Sequence, residues 1–269
     1  MKKNLTENKN SHPIYSSSAS YPSFCIRASS EDSIYQNFRT HPAYTFVLEH
    51  VSAEQGRSYI AAITRSNPDL LASYKQFKVN DKIGNPSLCN YEGIGDTSPT
   101  TLRYVKVLSD LMEDFDSLDG MNIVEIGCGY GGQAVIIDKK FKINKYIFID
   151  LPEVLPLIQR YVTDCEVGFD SVFLDGETMG TLRDTKPDLI ISNYAFSECD
   201  KEIQKKYINL ILAHCPNGYL TMNDNGGSFG VSSYGYSELI DFISHKITTK
   251  AEDPQTGDGN YILKWKDKI

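Results

Sequence analysis

Residues 124 to 133 read VEIGCGYGGQ. Four glycines, Gly127, Gly129, Gly131 and Gly132, follow an apolar run and lead into AVII, which is the sequence form of a strand, a tight turn and a helix start. Glycine permits positive φ and lets a ligand come close to the backbone. The spacing fits two templates. Gly127, Gly129 and Gly132 spell the G-x-G-x-x-G of dinucleotide folds, whereas Gly127, Gly129 and Gly131 spell the G-x-G-x-G of folds that take S-adenosylmethionine (AdoMet). The turn alone does not choose.

Carboxylates stand at the positions such a ligand would use. Asp150, with Leu151 beside it, ends the apolar run KYIFID, where a carboxylate accepts bonds from ribose hydroxyls of either cofactor; a helix cap at Pro152 is its competing role. Glu125, two residues before Gly127, is assigned to orienting the turn and, for AdoMet, the methionine ammonium. Asp175 follows the run SVFL, placed for the adenine amino group or as half of an ordinary DG turn.

Transfer to a hydroxyl needs a base as well, and in open α/β sheets ligands lie beyond the carboxyl ends of the strands. That points to NYAFSECD and NDNGG. Asn193 and Tyr194 are then contacts and Glu198 is the leading base; its competing role is a carboxylate that complements the dipole of the helix KEIQKKY. Asp224 is the second base candidate, and with Asn223 and Asn225 it also forms an oxygen set suited to Mg2+. His41 and His50 become candidates if the N-terminal part folds over the substrate. Arg103 and Lys106, one helical turn apart, either meet a phosphate or face solvent.

These residues need elements to position them. Residues 1–22, rich in Ser, Asn and Lys, read as a flexible arm. From Glu31 to about Lys78, apolar residues recur at three- and four-residue spacing, so 23–98 reads as a helical lid or substrate subdomain ending in turn-rich sequence. Ser98 and Pro99 give a cap and a first-turn proline for a helix whose apolar face is Tyr104, Val107, Leu108, Leu111, Met112 and Phe115.

From 99 to 269 strands alternate with helices: NIVEI, a helix over 132–140, KYIFID, a helix over 152–162, SVFL, a weak segment over 177–183, DLIISN, a helix over 201–213, GYLTMN and a helix over 234–245. Alternation implies right-handed crossovers and a parallel sheet. The last two strand-like runs, KITTKAE and NYILKWK, are joined by DPQTGDG, too short for a crossover, and so form an antiparallel hairpin. A mostly parallel sheet of seven strands closed by a hairpin favours the AdoMet template, as does V-E-I-G-C-G; no large substrate domain of the dehydrogenase kind follows.

The bulk composition narrows the partners. The chain has 269 residues, a net charge of −8 and no Lys/Arg run longer than two, which argues against a nucleic acid held through its phosphates. Six widely spaced cysteines without C-x-x-C read as reduced thiols. Neither an apolar leader nor a run of ~18 apolar residues is present, so the expectation is a cytoplasmic protein without a membrane span. The oligomeric state, including a homo-oligomer, is open.

YPSFCIRASSED, FRTHPAYTFVLEHVSAEQG, NDKIGNP, SPTTLRYVKVLSDL, VEIGCGYGGQA, FIDLPEVLPLIQRY and SNYAFSEC together resemble the bacterial sugar O-methyltransferases, a class I AdoMet-dependent family of polysaccharide and glycosylated natural-product pathways. The likeness runs from Tyr21 to the C-terminus. It implies an α/β, Rossmann-like class I methyltransferase fold, AdoMet as cofactor, and a free, nucleotide-linked or glycoconjugate sugar as acceptor. DLPEVL also resembles small-molecule O-methyltransferases, which keeps a non-sugar acceptor open. A non-catalytic AdoMet-binding partner protein is the alternative from another class.

Overall fold

The apolar runs on either side of the glycine turn become neighbouring strands. In the computed structural model, which describes residues 20–176, 178–223, 231–243 and 245–267, β3 (Asn122–Ile126) pairs in parallel with β4 (Lys145–Ile149), Val124 opposite Ile147. β5 (Asp170–Leu174), β6 (Leu189–Asn193) and β7 (Asn217–Met222) continue the parallel set. β8 (Thr248–Ala251) and β9 (Tyr261–Lys266) run antiparallel, with β9 beside β7. The sheet order is β5-β4-β3-β6-β7-β9-β8. The expected hairpin follows from its loop, since a connection this short cannot return the chain to a parallel start. Besides this sheet, β1 (Cys89–Tyr91) and β2 (Gly95–Thr97) form a small hairpin inside the turn-rich stretch 80–98, where only loop was expected.

Both faces of the large sheet are covered, as continuous apolar strands require. On one side Ile123, Tyr146, Phe148, Leu189 and Ile191 pack under helices α1 (Ser20–Ser30), α4 (Ala53–Ser66), α6 (Pro99–Phe115), α7 (Gly132–Asp138) and α8 (Leu155–Asp164). On the other, Val124, Ile126, Ile147, Ile149 and Ile190 meet α9 (Lys201–Tyr207), the π turn Ile208–Leu212 and α10 (Tyr236–Phe242). Short helices α2 (Asp32–Tyr35), α3 (Pro42–Thr45) and α5 (Pro68–Ala72) complete the N-terminal part. Among the described residues no helix is long and apolar enough to cross a membrane.

Local signals explain the helix ends. Ser98 Oγ accepts from Thr100 N at 3.2 Å, with Pro99 in the first turn of α6. Ser52 and Gln55 form a reciprocal capping box on α4. The structure differs from the sequence reading at the arm: residues 20–22 are helical, and Tyr21, Phe24, Cys25 and Ala28 are buried at helical spacing in α1. Residues 1–19 of the expected arm lie outside the described residues. The helix expected from Pro152 begins instead at Leu155.

The N-terminal helices also grip the glycine turn. Tyr130 is fully buried among the rings of Phe38, Tyr44, Tyr104 and Tyr161. Its hydroxyl accepts from Asn80 Nδ2 at 3.0 Å. Arg39 lies 4.7 Å from its ring and is itself paired with Glu49 at 2.6 Å. A buried guanidinium demands such partners.

Candidate active site

Three glycines of the turn are in the left-handed region: Gly127 at φ 73°, Gly129 at 60° and Gly131 at 89°. A Cβ on Gly127 would stand 2.0 Å from Ala195 Cβ, and one on Gly129 would stand 2.8 Å from Leu48 Cδ1. Gly132 has another role. It starts α7, and a Cβ there would meet the rings of Tyr104 at 2.5 Å and Tyr130 at 2.7 Å. The conformational requirement thus falls on the G-x-G-x-G set.

Four amides of the turn are engaged within the protein. Gly127 N donates to Ile149 O at 2.8 Å, and Gly131 N donates to Cys128 O at 2.9 Å. Cys128 N and Gly129 N donate to Asp150 Oδ2 at 2.7 and 3.2 Å. A dinucleotide pyrophosphate would need such donors free. Here they fix a carboxylate at the mouth of the turn instead.

A cavity of about 560 Å³ opens at the carboxyl ends of β3, β4, β6 and β7. Its floor is Glu125, Gly127, Cys128, Gly129 and Asp150. One wall is Asn193, Tyr194, Ala195, Glu198 and Asn223, from the segments after β6 and β7. The N-terminal part covers it with Tyr21, Leu48, His50, Val51 and Tyr59. Arg103 and Tyr104 of α6, and Thr256, Gly257 and Asn260 of the β8–β9 loop, close the rest. The volume is within the range of small-molecule sites.

Burial tunes the carboxylates. Glu125, 2 % exposed, is pushed up to about 8 by loss of solvent, with the bond from Tyr146 opposing and the charge of Asp150 adding to the rise. Asp150 is raised by burial to about 6, held down by its backbone donors. Burial also raises Glu198, whose Oε1 accepts from Asn223 Nδ2 at 3.2 Å. His50 is lowered by burial and by the charge of Arg103. Tyr194, a bulky residue at φ 69°, sits between β6 and the 3-10 turn Ala195–Glu198. Strain of this kind gathers at ligand sites.

The structure brings Glu125, Gly127, Gly129, Asp150, Asn193 and Glu198 to one cavity. Asp150 does not cap α8, which begins at Leu155 after Val154. Glu198 does not cap α9 either, because Asp200 does so, accepting from Ile203 N at 2.9 Å. The side-chain cap of α9 is thus Asp200, two residues on from Glu198.

Other candidates sit elsewhere. Gly131 packs on Val162 and Ile158 behind the turn. Leu151 donates its N–H to Asp150 Oδ1 at 2.8 Å and packs into the core, so its part is to orient the carboxylate. The Asp175 carboxylate accepts from Thr178 N and Oγ1, each at 2.8 Å, and is absent from the cavity lining. His41 also lies off the cavity: it caps α3 through Ala43 N at 3.2 Å and stacks on Phe24 at 4.1 Å. Asp224 and Asn225 lie outside the described residues. Lys106 is buried against Asp110 at 2.6 Å. Among the described residues no cluster of three or more His, Cys, Asp or Glu side chains is placed to hold a metal.

Sequence reasoning missed the β8–β9 loop. Glu252 is buried there, accepting from Tyr194 Oη, from Thr256 N and Oγ1 at 2.9 and 2.8 Å, and from Asn260 Nδ2 at 3.1 Å. Only its turn formers were visible, and they say nothing of where a loop folds back.

A solved magnesium protoporphyrin IX methyltransferase from Synechocystis PCC 6803, with AdoMet bound, is 10% identical and superposes with a TM-score of 0.50 over 80% of this chain and 99% of that one. The protein has the class I methyltransferase fold. An AdoMet-dependent methyltransferase from Clostridium acetobutylicum ATCC 824 gives a TM-score of 0.47 at 12% identity over 60% of this chain and 89% of its own. In sequence, the chain is 28% identical over 149 residues to a malonyl-[acyl-carrier protein] O-methyltransferase of Calditerrivibrio nitroreducens. That match takes in 51% of this chain and spans 55% of the relative's length. No protein-family model matches. The glycine turn and the acidic end of the next strand line one cavity here, where Gly127, Gly129 and Asp150 meet.

Proposed function

We propose that this protein is an AdoMet-dependent O-methyltransferase acting on a sugar hydroxyl. One observation carries the reading: a single cavity joins a floor of Glu125, Gly127, Gly129 and Asp150 to a wall bearing Glu198. The floor fits AdoMet. Its glycines leave a cradle that a Cβ would fill, and its two buried carboxylates face a cavity in which a ribose diol and an ammonium would satisfy them.

AdoMet, when bound, supplies a methyl group activated by its sulfonium. The protein's own work is to hold and to deprotonate. Asp150, fixed by Cys128 N, Gly129 N and Leu151 N, takes the ribose hydroxyls, and Glu125 meets the methionine ammonium. Glu198 accepts the proton of the acceptor hydroxyl while Asn223 steadies its other lone pairs. The N-terminal residues 23–98 exclude water, since Leu48, Val51 and Tyr59 lie over the cavity.

The sugar rests on the motifs SPTTLRYVKVLSDL and SNYAFSEC and on the lining. Tyr59, Tyr104 and Tyr194 offer flat faces, Thr256 a hydroxyl, and Asn260 Oδ1 is buried without a hydrogen-bond partner among the described residues. Such a lining suits a hydroxyl-rich ring. The name of the curated relative supports O-methyl transfer; its acyl acceptor is the control substrate.

Calorimetric titration with AdoMet, S-adenosylhomocysteine and NAD comes first, followed by transfer of labelled methyl to a panel of sugars, a phenol and a malonyl thioester. Binding of the first two ligands and label in a sugar is the expected result. Binding of NAD alone overturns the cofactor; label only in the phenol or the thioester overturns the acceptor; AdoMet binding with no transfer to any acceptor leaves a binding protein.

A further inference from the structure

We propose that the acceptor is anionic and that its carboxylate or phosphate is held by Arg103, at the end of the cavity closed by the β8–β9 loop. The inference deepens the O-methyltransferase reading and rests on it.

Arg103 lies near the start of α6 and lines the main cavity with Tyr59, Tyr104 and Tyr194. It also borders a side cavity of about 20 Å³ shared with Glu252, Asp253 and Pro254 of the loop. Its guanidinium packs 5.6 Å from the ring of Tyr104. Among the described residues it has neither a carboxylate at salt-bridge distance nor a hydrogen-bond partner.

The buried cations nearby differ. Arg39 is paired with Glu49 at 2.6 Å and Lys106 with Asp110 at 2.6 Å. The loop's own carboxylate, Glu252, is taken up by Tyr194, Thr256 and Asn260. Arg103 is half-buried, and the charge of Glu49, which is paired with Arg39, reaches it only from beyond salt-bridge distance; its fork of donors matches a carboxylate or phosphate in two parallel bonds. In a chain of net charge −8, an anionic acceptor needs such a local cation.

The cofactor's own carboxylate is the rival ligand, and the S-adenosylhomocysteine and 5′-methylthioadenosine arms of the test separate the two. That carboxylate stays within a few bonds of the ammonium given to Glu125, so its receptor must stand beside Glu125. Glu125 is held from β4 by Tyr146 Oη at 2.8 Å. Arg103 lines both cavities with Tyr59 of the covering segment, and the smaller one with Asn193 and with Glu252 and Pro254 of the loop. Arg103 thus reaches the loop side of the cavity, the end given to the acceptor.

The test titrates the full chain, saturated with S-adenosylhomocysteine, with glucuronate, UDP-glucose and glucose. At least one of the first two should bind about tenfold or more tighter than glucose. Glucuronate winning assigns the group as carboxylate, and UDP-glucose winning assigns it as phosphate. The preference should be lost in Arg103→Gln and partly kept in Arg103→Lys, with S-adenosylhomocysteine affinity held in both.

Equal binding of all three probes by the wild-type chain overturns the proposal without need of any variant. So does a tenfold or greater loss of S-adenosylhomocysteine affinity in Arg103→Gln with 5′-methylthioadenosine, which lacks the carboxylate, unaffected; Arg103 would then serve the cofactor. Failure of the wild-type chain to bind S-adenosylhomocysteine at all removes the methyltransferase reading itself, and this inference with it.

Discussion

Tyr146 Oη donates to Glu125 Oε2 at 2.8 Å, joining neighbouring strands β4 and β3 beneath the glycine turn. Burial outweighs this bond and leaves Glu125 at about 8. Between the ordinary glutamate value of 4.5 and about 8, the folded protein therefore holds a proton that the unfolded chain has lost. Stability falls as pH rises through that window, at up to about 1.4 kcal/mol per pH unit. Asp150, raised to about 6, adds in the same sense below pH 6. Thermal melts of the ligand-free protein from pH 5 to 8 should show the decline, and Glu125→Gln should flatten it; parallel profiles would place the titration elsewhere.

The same proton gives a signature of binding. An ammonium beside Glu125 favours the carboxylate, so S-adenosylhomocysteine should release up to about one proton at pH 7. Calorimetry in buffers of different ionisation enthalpy reads this directly. Release should fall toward zero in Glu125→Gln, whereas unchanged release in that variant would remove Glu125 from the ammonium site.

The turn makes a third prediction. Gly127→Ala incurs both a positive φ, worth about 1–2 kcal/mol, and a contact of 2.0 Å with Ala195 Cβ. Ala195→Gly removes the contact but not the dihedral penalty. The double variant should melt well above Gly127→Ala and still below wild type; additive losses would mean the two positions do not meet.

This turn was legible as a ligand loop but not as to which ligand. What separates the templates is where the amides of Cys128 and Gly129 go, and a hydrogen bond to a carboxylate 22 residues away leaves no mark on spacing. The strands were legible because both faces of the sheet are covered, which writes KYIFI and LIISN as unbroken apolar runs. α1 was hidden because SYPSFCIRASS has a helix's buried spacing in a serine-rich stretch. The β8–β9 loop was hidden because its place depends on Tyr194 reaching Glu252 across 58 residues.

His41 illustrates the limit of composition. A histidine near the substrate side is a natural base, yet here its Nδ1 caps α3 and its ring lies on Phe24. His41→Ala should cost about 1 kcal/mol of stability and leave kcat unchanged in a methyl-transfer assay. A large fall in kcat with the melting temperature held would restore it to the chemistry.

Glu198 and Asp200 stand two residues apart with divided tasks. Asp200 Oδ1 caps α9 at 2.9 Å, and Glu198 lines the cavity with Asn223 as its donor. Glu198→Gln should lower kcat by about 10²–10⁴ with S-adenosylhomocysteine affinity intact, while Asp200→Ala should lower stability by about 1 kcal/mol. Because burial raises Glu198, the acid limb of the rate profile should fall above the usual glutamate range, activity rising with pH as the carboxylate forms. The Asn223 bond favours that charged form, so Asn223→Ala should carry the limb to still higher pH. A limb that stays put in Asn223→Ala and a kcat untouched in Glu198→Gln would together return the base to the segment that begins at Asp224.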